Sequence, residues 1–390
     1  MPTLKARKRL DPALTGHEAE QLRNDLKRMV VGQNEAIDQI VNVFQTFLAG
    51  MNAPGRPIGN LLFLGPTGTG KTRLVEATAQ SLLGDSRAVI KIDCAELQHS
   101  HEIAKLIGSP PGYLGHRETH PLLSQEVLAQ YHTESMKISF VLFDEIEKAS
   151  DALWNLLLGI LDKATLTLGD NRRVDFSRAL IFMTSNLGAA EMSNMLRPKL
   201  GFSTQTVEVC DALNAKVAKA GVEAARRKFT PEFMNRIDKV VVFQSLGPEE
   251  MELILTIELG HVRDRILETG AGAFAFTLTA EARAWLLAEG TDIKYGARHL
   301  KRAIERSLVH QLSNLIASGQ VQGGDVIRID FDAETGALGF DKEAEGMPEA
   351  AIAKLMDNTP ALQSMAAAAF SRDLERIRSA NSLRPSKVTA

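Results

Sequence analysis

Residues 65–72 carry the clearest chemical signature in the chain. They read Gly-Pro-Thr-Gly-Thr-Gly-Lys-Thr, which satisfies the pattern GxxxxGK[ST], and they stand between an apolar run at Leu61–Leu64 and a helix-compatible stretch. In that context the backbone N–H groups of a glycine-rich loop converge on phosphate oxygens, and the following helix N-terminus adds positive charge. We predict a nucleotide-binding loop formed by Gly65, Pro66, Thr67, Gly68, Thr69, Gly70, Lys71 and Thr72.

Within this loop two side chains have separate predicted tasks. Lys71 bridges the terminal phosphates of the nucleotide, and the hydroxyl of Thr72 ligates Mg²⁺. A second apolar run, Phe140–Phe143, ends in Asp144 and Glu145. Acidic residues at the carboxyl end of a parallel strand face the ligand crevice. We therefore expect Asp144 to hold the magnesium ion through water, and Glu145 to orient and deprotonate the attacking water.

The elements that must position these residues are short apolar runs rich in β-branched and aromatic residues, each separated from the next by helix-length sequence. The runs are Leu61–Leu64, Val89–Ile92, Ile138–Phe143, Ala179–Met183 and Val240–Phe243. Strands of this kind, alternating with helices, are typical of a parallel sheet that is covered on both faces. The predicted fold class is α/β, with an amphipathic helix that ends near Gly50 before the first strand.

The pattern changes at Leu246, where a smaller, mainly helical α+β domain is predicted to begin. Leucine and isoleucine recur at helical spacing from Leu300 to Leu315, Gly319 ends that helix, and Val326–Phe331 is a predicted strand. The predicted division is a flexible basic tail at 1–20, a large domain at 21–245, a small domain at 246–340 and an extension at 341–390. We expect the extension to be partly helical or disordered.

The net charge, the cysteines and the length of the apolar runs indicate which classes of partner and which compartment the chain is suited to. With a formal net charge of −3 and a pI near 6.3, the chain has no overall attraction to nucleic acid or an anionic membrane. The basic residues near the N-terminus are expected to belong to a frayed, solvated end of the chain; they are Lys5, Arg7, Lys8 and Arg9. The two cysteines, Cys94 and Cys210, match no disulfide or metal-ligand spacing, which favours a reducing compartment. Without a signal peptide or an apolar stretch long enough to span a bilayer, the chain is predicted to be soluble and cytoplasmic.

Six ordered motifs resemble one family, the AAA+ ATPases of the ClpA, ClpB and ClpC type, and specifically their second ATPase module. The resemblance runs from about residue 21 to 335. The motifs begin at Arg56-Pro-Ile-Gly59 and continue with Gly108-Ser-Pro-Pro-Gly-Tyr-Leu-Gly115, Phe143-Asp-Glu-Ile-Glu-Lys-Ala149, Thr184-Ser-Asn-Leu-Gly188, Pro231-Glu-Phe-Met-Asn-Arg-Ile-Asp238 and Gly296-Ala-Arg298. The resemblance implies a AAA+ domain followed by a lid domain. One ATPase module without a preceding substrate-binding domain or an inserted coiled coil is expected to form a single ring.

The resemblance also assigns residues beyond the phosphate-binding loop. It implies that Asn186 is a sensor of the nucleotide that helps to place the lytic water, and that Val31 lines the adenine pocket. Arg236 corresponds to the finger that reaches the γ-phosphate of a neighbouring subunit, so hydrolysis requires a homo-oligomeric ring, usually a hexamer. Arg298 corresponds to a second sensor, on the small domain. The implied ligands are ATP or ADP and Mg²⁺.

Two further segments resemble parts of the family that handle protein partners. Tyr113, followed by Leu114, corresponds to the loop that lines the central pore and grips an extended polypeptide. Leu114 stands where valine is commoner, and Thr119-His-Pro-Leu-Leu123 replaces a glycine-rich continuation. The tripeptide Leu200-Gly201-Phe202 is similar to the loop that docks on a ClpP-type peptidase ring; packing of Leu200 and Phe202 under a helix is the alternative.

The predicted function is that of a ring-forming ATPase that pulls protein substrates through a pore. Delivery of those substrates to a ClpP-type peptidase is an additional hypothesis. The alternative is a nucleotide-switched assembly module that acts on one dedicated partner without threading it. Nucleic-acid remodelling rests only on the basic N-terminus, and salt-insensitive or absent DNA binding would dispose of it.

Overall fold

The computed structural model describes residues 11, 14–109, 120–196, 207–268, 273–291, 296–348 and 350–352. Tyr113, Leu114 and the tripeptide at residues 200–202 lie outside these ranges. The chain divides between Ser245 and Leu246 into two compact units. Each unit has an apolar core of its own.

The first unit is built on a five-stranded parallel sheet with the strand order β2-β3-β6-β1-β7, and a separate antiparallel hairpin joins β4 to β5. The strands are β1 Gly59–Leu64, β2 Ile90–Asp93, β3 Ser139–Asp144, β4 Thr165–Thr167, β5 Arg173–Asp175, β6 Ala179–Ser185 and β7 Lys239–Val242. The parallel sheet predicted from the sequence is therefore present, and each of its strands lies within two residues of the predicted run.

Helices cover both faces of this sheet. They are α1 His17–Met29, α2 Asn34–Leu48, α3 Lys71–Leu83, α4 Ala104–Ile107, α5 Gln125–Ala129, α6 Asp151–Lys163, α7 Ala189–Leu196, α8 Val207–Lys228 and α9 Pro231–Met234, with 3-10 turns at Cys94–Glu96, Ser100–Ile103 and Ile146–Lys148. Alternate residues of β1 enter different cores: Leu62 and Leu64 belong to one apolar cluster, and Leu61 and Phe63 belong to the other. This is the pattern of a strand that is buried on both faces.

The N-terminal end differs from the prediction of a flexible tail through residue 20. Helix α1 begins at His17, and Ala19, Leu22 and Leu26 are buried on one side of it. These three residues have helical spacing, but the helix otherwise contains mostly polar and charged residues, so the apolar stripe is narrow. Packing against α2 and α3 supplies the stability that the local pattern does not indicate.

The second unit combines helices with a three-stranded sheet in the order β10-β9-β8. Its elements are α10 Pro248–Glu268, β8 Ala275–Leu278, α11 Ala280–Gly290, α12 Ala297–Ile304, a π-helical turn at Glu305–Val309, α13 His310–Ala317, β9 Val326–Asp332 and β10 Ala337–Ala344. The long helix predicted from Leu300 onward is therefore interrupted by a π-helical turn.

The predicted end of the small domain at residue 340 is too early. Strand β10 pairs with β9 as far as Ala344, and Ile352 is fully buried in the same apolar cluster as Leu300 and Ile304. The charged run Asp341-Lys-Glu343 obscures β10 in the sequence, because one face of an edge strand is solvated. None of the described helices combines the length and apolar character that crossing a bilayer demands.

Phe63 provides a test of the first unit's core. Its fully buried ring lies 5.0 Å from the ring centroid of Phe243 and 5.5 Å from that of Phe182. Phe63→Ala should lower the free energy of unfolding by about 3–5 kcal/mol, because it removes these contacts and leaves a cavity. Urea denaturation would be followed by Trp154 fluorescence in a Trp285→Phe background, which restricts the signal to the first unit. Leu48→Ala, at a 42% exposed position, is the control and should change the value by less than about 0.5 kcal/mol.

Candidate active site

Three neighbouring strand ends bring together the phosphate-binding loop, the acidic pair Asp144 and Glu145, and Asn186. Strand β6 lies between β1 and β3 in the parallel sheet, so the carboxyl ends of all three meet at one edge. The loop at residues 65–70 follows β1, Asp144 is the last residue of β3, and Asn186 follows β6 directly. This edge is where parallel α/β sheets bind ligands.

The loop has the conformation that the glycine pattern predicts. Gly65 has a φ of +145°, and a Cβ atom there would lie 2.8 Å from the carbonyl oxygen of Phe243, so a larger residue does not fit. Gly70, with a φ of +99°, precedes α3 and offers no side-chain cap. The first N–H groups of α3 are thus oriented as a helix N-terminus that binds phosphate. Thr72, which is half-buried, lies in the first turn of the same helix.

Lys71 is held inside the loop that precedes it. Its side-chain nitrogen donates to the carbonyl oxygens of Gly65, at 2.7 Å, and Pro66, at 2.9 Å. It also donates to Oδ1 of Asn186 at 2.9 Å. The residue is only 8% exposed, so its positive charge is concentrated at the loop, where phosphate oxygens would replace these acceptors.

Asn186 connects Lys71 to Glu145. While its Oδ1 accepts from Lys71, its Nδ2 donates to Oε1 of Glu145 at 3.1 Å. Glu145 also forms an ion pair with Lys148. The hydrogen bond within this pair raises the pKa of the Lys148 amine. The backbone of Glu145 has a φ of 54°, a conformation that is costly for a residue other than glycine and that occurs mostly at functional sites.

Thr184 is a site residue whose role the sequence reasoning missed, although its motif was recognised. The backbone N–H of Glu145 donates to Oγ1 of Thr184 at 3.1 Å, and the Thr184 hydroxyl donates to Oδ1 of Asp144. One buried hydroxyl therefore orients both acidic residues. Glu147 adds a related contact, because its Oε1 accepts from the backbone N–H of Asn186 at 3.0 Å.

Gln33 is a second residue that was missed. The buried amide donates through Nε2 to the carbonyl oxygens of Thr69, at 3.2 Å, and Gln244, at 3.0 Å. Its Oε1 accepts from the backbone N–H of Gln244 at 3.1 Å. The segment that contains Val31, which is half-buried, is thereby tied to the phosphate-binding loop. The sequence Val30-Val-Gly-Gln33 was the available signal, but it does not indicate the hydrogen-bond partners of Gln33, which are distant along the chain.

The predicted finger, Arg236, is paired with acidic side chains of its own unit. Its Nε lies 3.4 Å from Oδ1 of Asp162, and its Nη2 lies 3.5 Å from Oε1 of Glu232. The buried side chain of Asn60 fixes the backbone here, because its Nδ2 donates to the carbonyl oxygens of Arg236 and Leu161, both at 3.1 Å.

The remaining observations concern Arg298 and Cys94, each within its own unit. Arg298 is exposed on α12 of the second unit, one residue after the start of that helix. Cys94 is buried beneath the site, and its pKa is raised, first by burial and then by the negative charges of Asp144, Asp93, Glu147 and Glu145. Burial is the larger cause of this shift, and the carboxylates that add to it include Asp144 and Glu145 at the end of β3.

Two family models match the chain. The model described as AAA domain (Cdc48 subfamily) matches residues 56–240, and the model described as the C-terminal, D2-small domain of ClpB protein matches residues 246–329. The chain belongs to the Clp-type AAA+ ATPases. The family and the fold class predicted from the sequence are therefore confirmed.

Relatives with known names agree with this AAA+ assignment. The chain is 40% identical over 305 residues to "Chaperone protein ClpB" of Pseudomonas putida. This match covers 77% of this chain and 32% of that protein. It is also 36% identical over 313 residues to "ATP-dependent Clp protease ATP-binding subunit ClpC" of Staphylococcus saprophyticus. That match covers 80% of this chain and 36% of that protein. The chain thus spans about a third of the length of these relatives.

Among solved structures, the chain is similar to the Saccharomyces cerevisiae Hsp104:casein complex in its extended conformation. The TM-score is 0.70 at 29% sequence identity, and the match covers 83% of this chain and 53% of that one. The AAA+ fold and the small domain that follows it are common to both chains.

Thr184 gives a test of how this AAA+ site is positioned. Thr184→Val keeps the side-chain volume but removes the hydroxyl that contacts both Asp144 and the backbone of Glu145. We expect kcat for ATP hydrolysis to fall by about 10- to 100-fold, as when a group that orients catalytic ligands is removed. Steady-state phosphate release measures the change. Thr184→Ser, which keeps the hydroxyl, is the matched control, and equal activity of the two variants would contradict the assigned role.

Proposed function

We propose that this chain hydrolyses ATP with Lys71, Glu145 and Asn186 as its central residues. The observation that carries the proposal is the bridge of Asn186, whose amide contacts Lys71 through Oδ1 and Glu145 through Nδ2. The arrangement places a phosphate-binding cation and a candidate general base on opposite sides of one amide. In the proposed reaction Glu145 accepts the proton of the attacking water, while Lys71 and the N–H groups of the loop neutralise the phosphates.

Magnesium is the ion that the proposal requires. The hydroxyl of Thr72 in the first turn of α3 and the carboxylate of Asp144 at the end of β3 are both hard oxygen donors, which Mg²⁺ prefers. We assign Thr72 as a direct ligand and Asp144 as a ligand through water. When bound there, the ion would neutralise the charge on the phosphate oxygens. Thr184 keeps the carboxylate of Asp144 oriented for that task through its hydroxyl.

The site is proposed to be completed by a second copy of the chain. Arg236 belongs to a motif that resembles the one from which a finger reaches a neighbour's nucleotide, and within its own unit it forms ion pairs with Asp162 and Glu232. A ring, with six subunits as the expected number, would bring each finger to the next site. A finger supplied in trans contributes about 10³- to 10⁵-fold in related phosphoryl-transfer enzymes.

Proteins are the proposed substrates of this ring. One relative is named as a chaperone, and a similar structure was solved as a complex with casein. We assign Tyr113 and Leu114 as the residues that grip an extended polypeptide, and Arg298 as the residue that relates nucleotide state to the second unit. A nucleotide-switched module for one dedicated partner is the competing function, and the Tyr113 experiment below separates the two.

A peptidase is a proposed partner, at residues 200–202. The ClpC relative is named as the ATP-binding subunit of a protease, and the sequence Leu200-Gly201-Phe202 resembles a peptidase-docking loop of the family. We infer a cytoplasmic location for the assembly, because Cys94 is a buried free thiol that a reducing compartment preserves.

Glu145→Gln tests the chemical step. The amide keeps the size of the side chain but cannot accept a proton, so we expect kcat to fall by at least about 100-fold while ATP still binds. Nucleotide affinity would be measured with a fluorescent ATP analogue and turnover by phosphate release. Glu134→Gln, at an exposed position remote from the strand ends, is the control. Turnover within twofold of the unmodified protein would exclude Glu145 as the base.

Tyr113→Ala tests the mechanical step. We expect the variant to hydrolyse ATP at close to the normal rate but to lose ATP-driven unfolding of a stably folded, tagged protein, because the aromatic grip is gone. Loss of the substrate's intrinsic fluorescence measures unfolding. Tyr113→Phe retains the ring and should retain most of the activity. If Tyr113→Ala unfolds the substrate as fast as the unmodified protein, threading is wrong and the module with a dedicated partner is favoured.

A further inference from the structure

The hairpin formed by β4 and β5 lies in the chain between α6 and β6. Its residues alternate between exposed and buried, and Leu166, Leu168 and Val174 enter an apolar cluster. Leu106 and Leu123 belong to that cluster too. These two residues flank the segment at 110–119, so the hairpin shares a core with both ends of the segment that carries Tyr113.

The tip of the hairpin meets the first end of that segment, backbone against backbone. The N–H of Gly169 donates to the carbonyl oxygen of Ile107 at 2.8 Å. A Cβ atom at Gly169 would lie 2.5 Å from the carbonyl oxygen of Gly108 and 3.1 Å from the carbonyl carbon of Ser109. Any side chain at position 169 would therefore force residues 107–109 away from the hairpin.

The other end of the segment is attached through side chains. The N–H of Asp175 donates to Oε1 of Gln125 at 2.8 Å, and a guanidinium nitrogen of Arg172 lies 3.3 Å from Oε1 of Glu126. The two ends are also joined to each other, because the N–H of Leu123 donates to the carbonyl oxygen of Leu106 at 3.1 Å. The hairpin thus holds residues 105–109 and 121–126 as one base.

The opposite end of the hairpin leads directly to the ATP site. The N–H of Phe176 donates to the carbonyl oxygen of Ala164 at 2.7 Å, which closes the hairpin where α6 ends. The 3-10 turn that follows Glu145 precedes α6, and Nε1 of Trp154 on α6 donates to the carbonyl oxygen of Ile146 in that turn at 3.1 Å. Beyond the hairpin, β6 runs to Thr184 and Asn186. One arm of the hairpin therefore follows the helix that packs on the turn after Glu145, and the other arm leads into the strand that holds Thr184 and directly precedes Asn186.

We propose that the β4–β5 hairpin couples the nucleotide site to the segment that handles substrate, and that Gly169 is the positioning residue at which the coupling depends on close contact. The inference rests on the proposed function, because it assumes that Tyr113 acts on protein. A displacement of Glu145 or Asn186 moves α6 or β6 as a rigid element. The hairpin transmits that displacement to the base at residues 105–109 and 121–126.

Gly169→Ala is the decisive variant. Basal ATP hydrolysis should stay within twofold, with an unchanged KM for ATP, because the residue contacts no catalytic side chain. ATP-driven unfolding of a tagged protein should fall by about tenfold or more, and stimulation of hydrolysis by that substrate should disappear. Loss of a typical coupling free energy between two sites has an effect of this size. Gly159→Ala is the matched control, since a Cβ atom there meets only the carbonyl oxygen of Thr165 at an ordinary 3.6 Å.

A second variant keeps the test decisive if Gly169→Ala fails to fold. Gln125→Leu combined with Arg172→Gln removes the contacts at the other end, and these side chains are exposed. It should also reduce unfolding while basal hydrolysis is retained. Normal coupling in a folded Gly169→Ala, or in this double variant, would overturn the inference alone. If the unmodified protein hydrolyses ATP but unfolds nothing, the proposed function fails and the inference fails with it.

Discussion

Parallel pairing of β6 with β1 on one side and β3 on the other is the constraint on which the rest of the structure depends. Leu64 pairs with Ser185 and Phe143 pairs with Met183, so three strands end at nearly the same level. The loop, the acidic pair and Asn186 follow from those ends. A shift of register by one residue would turn every side chain of a strand to the other face and separate these groups.

The sequence predicted the parts of this arrangement that depend on local pattern. The glycines of the loop and the acidic residues after an apolar run identify the nucleotide site, because each of these two motifs is a contiguous stretch of sequence. The sequence did not predict the contacts of Gln33 with Thr69 and Gln244, because those partners are 36 and 211 residues away. Helix α1 and strand β10 were missed for a related reason: α1 has only a narrow apolar stripe, β10 contains the charged run Asp341-Lys-Glu343, and packing determines the structure of both.

Buried polar side chains have a common use in the first unit. Gln33 and Asn60 are almost completely inaccessible, and each donates two hydrogen bonds to backbone carbonyl oxygens of segments distant in sequence. An unpaired amide in such a place would cost about 1–3 kcal/mol, so these contacts favour one arrangement of the chain over others that bury the same apolar area. Gln33 sets the position of the loop, and Asn60 sets the position of Arg236.

The place of β1 in the sheet also bears on how the protein is made. Both neighbours of β1 are synthesised much later, and Asn60 awaits a partner, Asp238, that is 178 residues further along the chain. Until β7 leaves the ribosome, the strand that leads into the phosphate-binding loop has an open apolar edge, which is a site of aggregation in nascent chains. A protein proposed to act on unfolded polypeptides therefore passes through a long stage in which it resembles one.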